Sequence, residues 1–348
     1  MRPRHLPLDV LRGLAIAQVL VFHFHTPGGH AVVDALAGAG WAGVDLFFVL
    51  SGYLVGGMIL AEAARTGRLD RRRFFVRRAL RLGPVLALYL AILLVAGAGW
   101  RTVGPVVLHI QNYADAWPVP SHLWSLAVEE HFYLFAALAL PALVRRGLVI
   151  PVLVAIIVAV GALRIGALAH GETLRHAQWQ TQYRIDAPAA GVLLAALRRY
   201  RPVGFAAAGR HRALLIVGAV AAYAWLASLS EAATLYGAGR SVALLAAAAL
   251  VLVAATTDAR AAPRPTVRAL GWLGTIAYPL YVWHASAGRV AEMLGGGIAA
   301  KLALAILTGA VVHRYVERPI LLLREWLNDN ATRLQNNQLV VAGPPQTA

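Results

Sequence analysis

Two ionisable side chains stand in the first apolar segment of the chain, Arg12 and His23, within LDVLRGLAIAQVLVFHFH. They are eleven residues apart, almost three helical turns, so the spacing predicts one shared helix face with roughly 16 Å between them along the axis. Arg12 is expected near one membrane surface and His23 about halfway across. Ionisable groups inside a span are costly, which indicates a function. The alternative is structural: an arginine that extends to the headgroups and a histidine bonded to a neighbouring helix.

A second polar group lies in the fourth apolar segment, SHLWSLAVEEHFYLF. Ser125, Glu129 and Tyr133 recur at i, i+4 and i+8 and are predicted to form one polar stripe, with Glu130 about 100° around the helix. Two adjacent acids in a span are expensive unless they are paired, protonated or turned towards a polar cavity. A carboxylate beside a histidine can hold its tautomer and raise its basicity, which is the arrangement of a general base.

Eight arginines are concentrated between residues 65 and 81. Arg77 and Arg81 are four residues apart and are predicted to share a helix face, with Arg78 beside them. Membrane topology and contact with anionic lipid headgroups account for some of these arginines. A helix start with so many guanidinium groups also suits a ligand with several phosphates, such as coenzyme A, because guanidinium pairs with phosphate bidentately.

Four further residues are candidates for a substrate or structural pocket. Asp45 and Ser51 belong to GVDLFFVLSGYL, where Asp45 is expected near the outer end of the second span and Ser51 deeper. An aspartate at that position can also sit in interfacial water. Arg184 and Asp186 in QYRIDAP are expected at an outer edge, where pairing with one another is the alternative to a role in binding.

The ninth apolar segment contributes three more pocket candidates. Tyr278, Tyr281 and His284 in IAYPLYVWHA recur every three residues and are predicted to lie on one side of the helix. Pro279 is predicted to kink the span and open room for a ligand or water. The interfacial aromatic belt explains the tyrosines more easily than it explains His284.

These side chains need apolar helices to hold them, and the composition predicts such helices. The chain of 348 residues is 59% hydrophobic and 14% charged, a balance that a soluble domain does not tolerate. It predicts an all-α, polytopic integral membrane protein with about ten transmembrane helices. The first apolar segment is predicted to be a retained span. The predicted spans are residues 8–26, 40–61, 82–99, 122–143, 148–168, 183–198, 213–229, 241–257, 271–292 and 298–317.

The arginines also determine the predicted orientation. Net charge is +16, and the arginines cluster in alternate short loops between the apolar runs. The positive-inside rule then places both termini in the cytoplasm. The same distribution argues against a nucleic-acid partner. Residues 1–327 are predicted to form one transmembrane domain, and residues 328–348 a disordered cytoplasmic tail.

Several chemistries find no support in the residues. The chain has no cysteine, which excludes a thiol nucleophile, and no metal site is predicted. Walker, GxSxG, HExxH and HxxxxD motifs do not occur, so nucleotide-driven transport, a serine-hydrolase triad, zinc peptidase chemistry and the soluble glycerolipid acyltransferase box are not indicated. A transporter or flippase is the main alternative class. Transporters often carry paired broken helices, and one break is predicted here, at Pro279.

Taken in order, the motifs resemble those of the membrane acyltransferase-3 family, bacterial O-acyltransferases that modify surface sugars, over nearly the whole chain. His131 stands where glutamine is usual, Pro188 interrupts a leucine-rich stretch, and Pro279 replaces a small polar residue. The matching elements are Arg12 and His23 (arginine, ten residues, histidine), GVDLFFVLSGYL, Phe74 to Pro84 with Arg77, Arg78 and Arg81, WSLAVEEHFYL with Ser125, Glu129, Phe132 and Tyr133, Arg184 to Asp186, Tyr278 with Tyr281 and His284, and Glu317 to Pro319.

The resemblance implies a multi-pass protein of the bacterial inner membrane that moves an acyl group, expected to be acetyl, from cytoplasmic acyl-CoA to a hydroxyl of a glycan, a lipid-linked glycan or a surface polysaccharide. A small-molecule acceptor, such as a macrolide or antibiotic sugar, stays open. Acyl-CoA is expected as a co-substrate, with no permanently bound cofactor. His23 would act as base or acyl carrier, Glu129 or Glu130 would orient it, and Arg12 would steer the donor. The membrane domain is expected to handle the acceptor without a C-terminal esterase-like domain.

Overall fold

A computed structural model describes residues 5–114, 118, 120–257 and 263–323. Within these ranges all regular secondary structure is helical and no strand occurs. Several of the helices are long and apolar enough to cross a membrane, so the prediction of an all-α, polytopic membrane protein is confirmed. The tail predicted for residues 328–348 lies outside the described residues.

The helices follow one another closely along the chain, and short helical turns join several of them. Two of these turns are π-helical and continue the neighbouring helices, at Gly52–Gly56 and His313–Glu317. The α-helices are α1 (Leu6–Phe24), α2 (Ala31–Gly38), α3 (Ala42–Ser51), α4 (Gly57–Thr66), α5 (Arg71–Val95), α6 (Trp100–Val107), α7 (Trp124–Arg146), α8 (Val149–Ala169), α9 (Leu174–Trp179), α10 (Asp186–Tyr200), α11 (Pro202–Arg210), α12 (Arg212–Ser228), α13 (Ala232–Tyr236), α14 (Ala238–Thr256), α15 (Pro265–Thr275), α16 (Ala277–Met293) and α17 (Ile298–Val312).

Fewer helices meet the requirements of a membrane span than the sequence predicts. Seven helical stretches of the described chain are long and apolar enough, or eight if the bent pair α11 and α12 forms one span. Two predicted spans fall short: α10, which overlaps the span predicted at 183–198, has 15 residues, and α16, which overlaps the span predicted at 271–292, has 17 residues. The count of ten and the orientation of the termini therefore stay predictions.

The ninth predicted span is interrupted, but not by its proline. The break separates α15 from α16 at Ile276, whereas Pro279 lies in the first turn of α16. Proline is tolerated there because the first N–H groups of a helix have no acceptor within it. The expected kink at Pro279 is thus wrong in position, because the break lies at Ile276, between two helices.

Glycines bring the helices around the polar residues into close contact. A Cβ at Gly191 of α10 would overlap the carbonyl oxygen of Val49 in α3, and one at Gly52 would overlap the carbonyl oxygen of Pro188. Small residues at such crossings let backbones approach closely in a membrane. The crossing positions the carboxyl end of α3, with Ser51, against the start of α10.

Candidate active site

Three histidine rings meet where α1 and α16 contact the short helical turn Ser121–Leu123 that precedes α7. The ring centroids of His23 and His284 are 4.8 Å apart, and those of His122 and His284 are 5.0 Å apart. His122 and His284 are 6% and 0% exposed, whereas His23 is exposed. His23 is therefore the member of the cluster that a substrate can reach.

Hydrogen bonds determine which nitrogen of each ring is protonated. His23 Nδ1 lies 2.9 Å from the carbonyl oxygen of Val19, and His284 Nδ1 lies 2.7 Å from that of Tyr281. A carbonyl can only accept, so both Nδ1 atoms donate and both Nε2 atoms keep a lone pair in the neutral ring. The Nε2 atom of His284 is buried without a hydrogen-bond partner in the described structure. The neutral His23 ring is consequently arranged as a base at Nε2.

His23 lies at the carboxyl end of its helix. Arg12 and His23 lie on the same helix, as their spacing predicts, and α1 ends at Phe24, so His23 occupies its last turn. The depth of His23 in a membrane stays a prediction. Near the other end, half-buried Arg12 donates to Asp9.

Tyr281 connects the histidines to the polar stripe of α7. Its hydroxyl donates to the carbonyl oxygen of His122 and lies 2.7 Å from Ser125 Oγ, which must then donate to it. His122 Nε2 in turn donates to the carbonyl oxygen of Val282, at 3.0 Å. His122 was not predicted as a site residue, although it stands one helical turn before Ser125 and extends the same stripe.

The two glutamates of α7 pair with an arginine of α5. Arg78 donates from Nε to Glu130, at 2.8 Å, and from Nη2 to Glu129, at 3.2 Å. Its guanidinium carbon lies 3.6 Å from the ring centroid of Tyr133, a cation–π geometry. The hydroxyl of Tyr133 bonds to that of Ser51. The stripe of Ser125, Glu129 and Tyr133 thus faces the histidine cluster at one end and Arg78 further along.

This arrangement differs from the predicted partners. The sequence predicts Glu129 or Glu130 beside His23, and Arg78 on the phosphates of a donor. In the structure the two glutamates and Arg78 form one ion-paired group, whereas His23 bonds to the backbone of Val19. Of the other two arginines of α5 that are predicted to bind the donor, Arg81 is exposed and Arg77 half-buried.

Arg184 and Asp186 do not pair with one another, so the alternative in which the two charges neutralise each other is wrong. Arg184 donates to Asp45, at 2.7 Å, and so does Arg240 of α14, also at 2.7 Å. Asp186 instead accepts from Arg164 of α8, at 2.7 Å. Arg184 lies in the turn before α10 and Asp186 is the first residue of α10, and each pairs with a residue from another part of the chain.

Arg164 and Arg240 were not predicted as site residues. Both are almost fully buried, at 0% and 2% exposure, and each stands in an otherwise apolar helix. Arg164 also donates to the carbonyl oxygen of Tyr183 and to Ser241 Oγ, at 2.6 and 3.0 Å. A lone arginine in an apolar span was the signal that could have identified them.

The residues of α16 face three different neighbours. Tyr278 donates to the carbonyl oxygen of Leu82 in α5, at 2.7 Å, Tyr281 contacts α7, and His284 packs on His23 of α1. Their shared side of α16 therefore joins α5, α7 and α1, the helices that carry the arginines, the glutamates and His23.

Comparison with known proteins adds a family and several relatives. The family model described as acyltransferase domain matches residues 6–314. O-acetyltransferase OatA of Staphylococcus aureus (strain NCTC 8325 / PS 47) is 32% identical over 167 residues, 41% of this chain and 26% of that protein. Peptidoglycan O-acetyltransferase OatA of Listeria monocytogenes is 31% identical over 148 residues, 36% of this chain and 22% of that protein. The chain thus spans about a quarter of the length of these curated relatives. No solved structure matches the chain.

Proposed function

Because the chain belongs to the acyltransferase domain family, which it matches over residues 6–314, we propose that it is a membrane O-acetyltransferase. The donor is acyl-CoA, and the acceptor is a hydroxyl of a glycan. The names of the staphylococcal and listerial relatives support acetyl as the acyl group, and the listerial name supports a glycan acceptor. The observation that carries the proposal is the exposed His23, whose Nδ1 donates to Val19 and whose Nε2 is left as the base.

In the proposed reaction, His23 Nε2 accepts the proton of the acceptor hydroxyl. The acceptor oxygen then attacks the carbonyl carbon of the thioester, and the carbon–sulfur bond breaks. The coenzyme A thiolate leaves and takes the proton back from His23, which regenerates the neutral ring. His284, whose ring centroid lies 4.8 Å from that of His23, keeps that ring in place.

The ion-paired group of α5 and α7 is proposed to act on the histidine cluster indirectly, without contact to His23. Glu129 and Glu130 hold Arg78 rigidly, and Tyr133 and Ser51 complete the group. The same helix face holds Ser125 against Tyr281, and so fixes the backbone of His122 beside His284. The glutamates thereby position the histidine cluster through α7 instead of touching His23.

The donor is proposed to lie along α5. A cavity of about 420 Å³ at the start of this helix is lined by three arginines, Arg68, Arg71 and Arg145, and by one carboxylate, Asp70. The excess of guanidinium groups suits the phosphates of coenzyme A. Arg77 and Arg81 follow on the same helix, within about 15 Å of Arg71 at the helical rise. Arg12, near the start of α1, steers the pantetheine and thioester end towards His23.

The direct test is an acetyl-transfer assay. Purified protein is incubated with acetyl-CoA labelled in the acetyl group, together with either a glycan fragment or a small glycosylated molecule. We expect base-labile label in the glycan and release of free coenzyme A thiol in equal amount. Label only in the small molecule would move the acceptor to that class. Uptake of an unmodified solute into proteoliposomes without thiol release would indicate a transporter and overturn the proposal.

Removal of two donor-binding arginines should weaken the use of acyl-CoA. The variant Arg77→Gln/Arg81→Gln is expected to raise KM for acetyl-CoA by about tenfold for each guanidinium–phosphate bond that is removed, since a hydrogen bond to a charged group contributes about 1.5–3 kcal/mol. The control, Arg199→Gln/Arg201→Gln, removes the same charge from another helix end. KM for acetyl-CoA is measured for both variants at two salt concentrations. An equal rise in KM in both would mean that the arginines attract the donor only through overall positive charge.

A further inference from the structure

A second basic cavity lies beside the short helix α11 and shares no lining residue with the cavity at the start of α5. Helix α11 is bent by 71° from α12, with His211 between them. One side of α11 packs on α14, where a Cβ at Gly209 would overlap the side chain of Thr256, and Phe205 is 7% exposed. Another side presents Val203, which is 83% exposed. The helix is therefore held firmly across the end of the bundle with an apolar residue turned outwards.

The cavity beside α11 has a volume of about 620 Å³ and is rich in guanidinium groups. Among the described residues its lining includes Arg198 from the end of α10, Arg210 from the end of α11 and Arg212 from the start of α12, and no acidic side chain. Arg198 donates to the neutral hydroxyl of Tyr53. Within the part of the chain that the structure describes, no ion pair joins any of these three arginines to a carboxylate. All three arginines are exposed, and like charges gathered around one cavity create a positive potential that attracts an anion.

We propose that this cavity binds the phosphate group of an anionic phospholipid. Guanidinium groups from three helix ends can surround a phosphate and donate bidentately to its oxygens. The outward Val203 on the bent helix favours a lipid as the source of the phosphate, because an exposed apolar side chain beside basic ones suits the headgroup region of a bilayer. Binding of a lipid at this cavity does not require acyl transfer.

Native mass spectrometry tests the proposal. Purified protein is mixed with phosphatidylglycerol or phosphatidylcholine in detergent, and retained lipid is counted. We expect one phosphatidylglycerol retained in preference, and a fall in affinity of about tenfold or more in Arg210→Gln/Arg212→Gln. The matched control, Arg199→Gln/Arg201→Gln, removes the same charge from residues that do not line the cavity. It should retain the lipid like the wild type.

Two results would overturn the proposal. An equal fall in the control pair would mean attraction to overall positive charge, with no built site. If 3′,5′-ADP displaces the lipid from the wild type and buffer alone does not, the cavity binds the phosphate of a nucleotide and not that of a lipid. If the arginine variant does not fold, Ala206→Phe fills the cavity without changing charge and should release the lipid. Retention of lipid by a folded Ala206→Phe protein would equally count against the site.

Discussion

Replacement of His23 by glutamine is expected to lower acetyl transfer by about 10²–10⁴-fold, the usual contribution of a positioned general base. Glutamine is similar in length and can still donate to the carbonyl oxygen of Val19, but it cannot take a proton from a hydroxyl. The packing of α1 against α16 depends mainly on apolar residues, so the variant should remain folded. The measurement is the rate of coenzyme A thiol release at saturating donor and acceptor, with size-exclusion profile and melting temperature as checks.

The matched control is His30→Gln. His30 is exposed and precedes α2, close in sequence to the same end of α1, and its side chain lies outside the histidine cluster of His23, His122 and His284. Its replacement should leave turnover unchanged. Wild-type turnover in folded His23→Gln would remove His23 from the mechanism. Mass analysis of the His23 peptide after rapid quenching separates base from carrier: a trapped acetyl-histidine would overturn the role as base.

Helix faces were predictable from spacing, because periodicity depends on a few adjacent residues. The stripe of Ser125, Glu129 and Tyr133 lies on one face of α7 as predicted. The partner of each stripe residue was not predictable. Ser51 is 82 positions from Tyr133, and Arg78 is 52 from Glu130. Spacing along one helix determines a face, but the helix that packs against this face depends on the whole fold.

The partners of Arg184 and Asp186 were also not predictable from the sequence. Proximity in sequence suggests that the two charges neutralise one another, but the turn before α10 directs them to different helices. Their partners are Asp45 for Arg184 and Arg164 for Asp186, each from a distant part of the chain. The count of ten spans stays a prediction for a related reason: apolar length alone does not separate a full span from a shorter helix such as α10, which begins at a buried charged residue.

Replacement of Asp45 by asparagine should be the most destabilising change among the buried charged residues. Asp45 accepts from both Arg184 and Arg240, which are 0% and 2% exposed, so the three residues together carry one net positive charge. Without the carboxylate, two buried guanidinium groups face each other with no counter-ion. Breaking a buried pair by removing one partner costs about 3–5 kcal/mol. Thermal unfolding in detergent should show a large fall in melting temperature, or absence of folded protein.

The companion variant, Arg240→Gln, separates charge balance from packing. It leaves Asp45 and Arg184 as a neutral pair and removes one hydrogen bond and the stacking of Arg240 on Trp41, whose ring centroid lies 3.9 Å from the guanidinium carbon. A smaller fall in melting temperature is expected, and the double variant Asp45→Asn/Arg240→Gln should recover part of the stability that Asp45→Asn removes, since neighbours in one network are not additive. The opposite outcome is additive: the double variant is less stable than Asp45→Asn by as much as Arg240→Gln is less stable than the wild type. In that case repulsion between Arg184 and Arg240 would not be the cause of the instability of Asp45→Asn. The group would then stabilise the protein through packing, and the positive charge would have to be balanced elsewhere.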